Sequence, residues 1–81
     1  MSRFYFHVRD GDEFIEDSEG IDLPSLEAAH GEAVLAAREM IAERVLQGDV
    51  IDGQVFEIAD EKGFVLESFP LKSVIRLQDF T

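Results

Sequence analysis

The chain opens on a two-residue alternation. Phe4, Phe6 and Val8 take one parity and Arg3, Tyr5, His7 and Arg9 the other, the pattern of a strand with one face buried and one face available. Asp10-Gly11-Asp12 is a turn signal, and Glu13 to Glu16 makes a short second strand. A second turn, Asp17 to Gly20, leads into Ile21-Asp22-Leu23-Pro24, an extended approach to a helix. From about Leu26 to Gln47 the apolar period lengthens to that of a helix, and Leu26, Ala29, Ala33, Val34, Ala37, Met40, Ile41 and Val45 fall on one broad stripe. Ser25 stands where an N-cap belongs and Gly48 just past the last turn. Leu35, Ala42 and Leu46 make a thinner stripe on roughly the opposite side, which a monomer would leave wet.

After a polar loop the alternation returns over residues 54–60, with Phe56 and Ile58 set against Val55, Glu57 and Ala59. Asp60 to Gly63 predicts a tight hairpin turn, and residues 64–69 a returning strand that Pro70 stops or confines to an edge. Counted without interruption, Val65, Glu67 and Phe69 share the face of Val55 and Glu57. Ser73 to Leu77 fits either a short helical turn or a fifth strand. The fold expected is α+β, a single domain over residues 1–81, in the order β-β-α-β-β. One long helix packs on one face of a single antiparallel sheet. The other face must then be polar or be covered by a partner.

Composition narrows the function classes. A formal charge of −11 argues against direct nucleic-acid binding and against anionic membranes, because both rest on Lys and Arg facing phosphates. It fits a basic protein partner. There is no cysteine, hence no disulfide, thiolate metal site or Cys nucleophile. That usage, with no signal peptide or apolar span, gives a cytoplasmic location as the expectation.

Each candidate for chemistry has a structural explanation beside it. Seven carboxylates fall between Asp10 and Asp22 with no basic residue among them, but a calcium-loop register fails from either Asp10 or Asp17. A solvated hairpin that resists edge-to-edge association explains them. His7 and His30 lie on opposite phases and assemble no metal set; His30 is expected to pack at the sheet edge with one hydrogen bond. Ser18, Ser25, Ser68 and Ser73 sit where serine serves local hydrogen bonding, and no phosphate loop or nucleophile elbow is present. No cofactor is implied, and the chain reads as a non-enzyme.

What remains is the stripe Arg3, Tyr5, His7 and Arg9, with Phe69 expected alongside; Tyr, Arg and Phe are types that interfaces favour. Its structural explanation is a charge ladder in which Arg3 and Arg9 pair with Glu57 and Glu67. Leu35 and Leu46 on the second helix stripe are the other candidate contact residues.

Arg3-Phe-Tyr-Phe-His-Val-Arg-Asp-Gly11, the lead-in Asp17…Glu19-Gly20-Ile-Asp-Leu-Pro24, the helix segment Glu32-Ala…Ala37-Arg38-Glu39 and Phe56-Glu-Ile…Asp60-Glu…Gly63 resemble a family of small uncharacterised bacterial domains. Its members begin with an Arg-Tyr-Phe-Phe-His-type strand, in which this chain reverses the Tyr-Phe order. The resemblance covers nearly the whole chain and implies a self-contained domain but no activity. The acidic lead-in before an Ala-Glu-rich helix is also similar in architecture to HicB-type antitoxins, although this chain lacks their DNA-binding segment and, as read here, a third strand before the helix. The function expected is a non-enzymatic interaction module that self-associates, as a homodimer. The alternative is an antitoxin-like regulator of a basic protein, and a small enzyme or ligand-binding domain comes third.

Overall fold

The computed structural model describes residues 1–76. Five strands and one helix follow the chain as β1 (Ser2–Asp10), β2 (Glu13–Ile15), β3 (Ile21–Leu23), α1 (Leu26–Gln47), β4 (Val55–Ala59) and β5 (Val65–Pro70), closed by a 3₁₀ turn at Leu71–Val74. All pairings are antiparallel, in the order β2-β1-β4-β5, with β3 also on β1. The α+β class and the single sheet under one helix are as the sequence predicts. One correction concerns Ile21–Leu23, expected as an extended lead-in. It is a strand, paired with Ser2–Phe4, so a third strand does precede the helix.

Helix α1 starts and stops where its caps require. Ser25 is extended, and its Oγ accepts from Ala28 N–H at 3.1 Å. Gly48 is left-handed at φ 77°, and its N–H returns to the carbonyls of the last turn. Ala29, Ala33 and Ala37 repeat every four residues and are fully buried. Small side chains in that row bring the helix axis close to the sheet. Against them pack Phe4 and Val8 of β1 and Phe56 and Ile58 of β4, with Ile41, Leu71 and Val74 completing the core. Leu26 and Val45, the two ends of the predicted stripe, are exposed.

The C-terminal segment resolves the choice between turn and strand for the part described. Leu71–Val74 is a 3₁₀ turn whose Leu71 N–H donates to the Gln54 carbonyl at 2.8 Å, and Arg38 Nε donates to the Val74 carbonyl at 3.2 Å. Leu77, the far end of that expected element, lies outside the described residues.

A second correction concerns β5. Glu57 pairs with Ser68, Phe56 with Phe69 and Ile58 with Glu67, but Ala59 pairs with Val65. The register shift leaves Leu66 as an extra residue, and a single extra residue inverts the parity of everything beyond it. Val65 keeps its expected face. Glu67 and Phe69 move to the helix side, so Phe69 is not on the open face. Its ring stacks on Phe56 at 5.3 Å, and His30 approaches it edge-on at 5.9 Å.

Candidate functional site

The register of β1 puts Tyr5, His7 and Arg9 opposite Ala59, Glu57 and Val55, on the face away from the helix. Phe14 of β2 pairs with Arg9 and joins that face. The four side chains form a connected row. Tyr5 and His7 are nearly parallel, with ring centroids 6.3 Å apart. His7 meets Phe14 at 5.1 Å, and the Arg9 guanidinium carbon lies 4.6 Å above the Phe14 ring. Arg9 Nε also donates to Glu57 Oε2 at 3.1 Å, one half of the expected ladder. The other half is not formed. Arg3 forks onto Asp22 at 3.0 and 3.1 Å and donates to the Glu19 carbonyl at 2.6 Å. Asp22 holds the Arg3 guanidinium above its ordinary range by hydrogen bonding and charge. Glu67 instead takes His30, Nδ1 to Oε1 at 2.7 Å, a polar contact at the sheet edge where that histidine was expected to pack.

One organising residue was not foreseen. Along one edge of β1, β3 covers Ser2–Phe4 and β2 covers Val8–Asp10. Asp17 fills the gap between them. Its Oδ2 accepts the Phe6 N–H at 3.1 Å, and its Oδ1 accepts the N–H groups of Glu19 and Gly20 at 3.1 and 3.2 Å. Partial burial pushes the Asp17 carboxyl up, but the three N–H groups outweigh it and hold it below its ordinary value. The signal was an Asp followed by Ser-x-Gly, the composition of a side-chain-capped turn. Gly20 closes that turn at φ 71°, where a Cβ would lie 2.9 Å from the Phe4 carbonyl, from Arg3 Cγ and from Tyr5 Cε2.

The same turn fixes His7. The Asp17 N–H donates to His7 Nδ1 at 3.0 Å. A neutral imidazole that accepts at Nδ1 carries its proton on Nε2. An open cleft of about 310 Å³ does gather His7 with Tyr5, Glu16, Asp17, Asp60 and Glu61. Asp17 orients the ring through its backbone and not through its carboxylate. Such a site can hold a hydrogen-bond acceptor or a cation over an aromatic face. Among the described residues, no group of three or more His, Cys, Asp or Glu side chains is placed to hold a metal ion.

Leu35 and Leu46, the helix candidates, are well exposed, at 55% and 88%, and Ala42 between them is exposed as well. Leu35 borders an open cleft of about 300 Å³ between the helix and the β3 edge, floored by Phe6 and Ala36 and rimmed by Asp17, Glu32 and Glu39. Leu46 stands in the last turn beside Val45, which is likewise exposed. No described helix is long and apolar enough to cross a membrane.

No curated protein and no solved structure matches the chain. A family model does, over residues 3–72, a span that takes in β1 from Arg3 onward, the other four strands, the helix, Asp17 and the Tyr5–His7 row. The chain therefore belongs to the family described as a domain of unknown function, DUF6894.

Proposed function

We propose that this chain is a non-enzymatic interaction module that works by protein–protein contact and associates with a second copy of itself. The observation that carries the reading is the distribution of uncovered apolar surface. One helix closes over Phe4, Val8, Phe56 and Ile58, while Phe14, Ile15, Ile21, Leu35, Val45, Leu46, Phe64, Val65 and Leu66 stay exposed. So small a domain buries little, and covering such positions adds stability that its own core does not supply. The row Tyr5, His7, Arg9 and Phe14 supports the same reading, being aromatic and guanidinium groups held in place by their neighbours. Light scattering tests it. The expected solution mass is twice the 9.1 kDa of the chain, and a single-chain mass at every concentration would remove the self-association.

A second reading has one specific observation behind it. The cleft beside Leu35 has an apolar floor and three carboxylates, Asp17, Glu32 and Glu39, on its rim. That chemistry fits a basic amphipathic segment of another protein, as an antitoxin-like regulator would need. Salt-sensitive binding of a basic amphipathic peptide, lost in Leu35→Glu, is the expected result. Binding indifferent to both salt and substitution would exclude it.

A further inference from the structure

We infer that the outer edge of β5 is the seam through which two copies of this chain join, extending the sheet across a two-fold axis. The inference rests on the self-association proposed above and specifies where it occurs. The sheet has two edges, and their chemistry is opposite. The edge carrying β2 and β3 belongs to the segment 10–22, whose seven carboxylates are accompanied by no Lys or Arg. Arg3 and Arg44 pair with Asp22 and Asp10, but bringing two such edges together would still oppose the five remaining carboxylates of each copy, Asp12, Glu13, Glu16, Asp17 and Glu19. Both strands there are also only three residues long. That edge is guarded against pairing.

The β5 edge is not guarded in this way. No described strand covers it, and at six residues it is the longest free edge in the sheet. From Phe64 to Leu71 it carries a single charge, Glu67, and that carboxylate is engaged by His30 on the helix side. In a chain of net charge −11 this is where a second copy approaches with least repulsion. In an antiparallel two-fold pairing, only a register centred on Glu67 sets like charges directly opposite each other. Every other register is free of that cost. The run Phe64-Val65-Leu66 supplies the apolar contact, with exposures of 66%, 50% and 43%. Pro70, which donates no N–H, stands at the last position of the strand, where it ends the seam and does not interrupt it. An edge with free backbone groups, low charge and exposed apolar side chains pairs with its own copy by strand addition.

The test combines variants with amide hydrogen exchange on the wild type. Val65→Glu with Leu66→Glu, both at exposed positions, places four added carboxylates at the seam and is expected to halve the solution mass while keeping the helical circular-dichroism signal. Leu35→Glu with Leu46→Glu is expected to leave the mass at two chains. In the wild type, β5 amides should gain at least tenfold protection between dilute and concentrated solution, and β2 and β3 amides should not. The exchange result stands even where the double variant fails to fold. A folded β5 variant that remains dimeric, or β5 protection that does not respond to concentration in a dimeric wild type, overturns the seam but leaves self-association intact. A wild type that is monomeric throughout overturns both.

Discussion

Replacing Asp17 by alanine should remove a large share of the domain's stability. The carboxylate satisfies three backbone donors, and they are not equivalent. The Phe6 N–H lies part-buried on β1 between the ends of β2 and β3. Leaving such a donor unpaired costs about 1–2 kcal/mol. The Glu19 and Gly20 donors sit in a turn open to water, and their loss adds about 0.5 kcal/mol each. The sum is about 2–3 kcal/mol, against a total of about 3–5 kcal/mol for a core of this size. With a urea dependence of about 1 kcal/mol per molar, the midpoint falls by about 2–3 M. Urea titration followed by the helical circular-dichroism signal, at one fixed protein concentration, measures it.

The pH dependence follows from the same contacts. The folded carboxyl sits below its ordinary value of 3.8, so its contribution is complete above that value and is lost as pH falls through the lower, folded one. Asp17→Asn cannot titrate and keeps only one acceptor oxygen. Its deficit relative to wild type should be full at neutral pH and shrink below about pH 4. A midpoint change under about 0.5 M for Asp17→Ala, or a deficit that grows in acid, would refute the role given to this side chain.

Other substitutions test separate parts of the structure. Gly20→Ala meets both a positive φ and three atoms at 2.9 Å; a loss of about 2–3 kcal/mol is expected, and an unchanged melting temperature would contradict the packing described. Phe69→Ala removes a ring stacked on Phe56 and should cost about 2–3 kcal/mol, where a residue on the open face would cost far less. Arg9→Ala breaks a pair in which the guanidinium is half exposed, so its effect on unfolding should stay below about 1 kcal/mol. Ser25→Ala should cost about 1 kcal/mol through the Ala28 N–H, and less than about 0.3 kcal/mol would exclude the cap.

The helix was legible to the residue because both ends carry local chemistry, Ser25 accepting at one and Gly48 turning left-handed at the other. β1 was legible because its alternation is long. The strand at Ile21–Leu23 was not, since three residues beside a proline carry no period of their own and become a strand only by pairing with β1. The helix-side position of Phe69 was hidden for a different reason. A parity count along β5 assumes one residue per step, and nothing in Val65-Leu66-Glu67 announces that Leu66 is the extra one. For the candidate surface, the alternation placed Tyr5, His7 and Arg9 together, but the partners of the arginines depended on register. Arg9 met Glu57, whereas Arg3 met Asp22 on a strand that had not been recognised. Asp17 was one of seven acidic residues in its segment, and only the gap between β2 and β3 gives it a particular task.

The central question is whether the folded unit is complete as one chain. The unfolding midpoint of the wild type, measured over a hundredfold range of protein concentration, asks this directly. Association of folded chains makes the midpoint climb with concentration, and that climb is the predicted result. A midpoint that stays constant over the whole range would show a domain stable alone and would contradict the account.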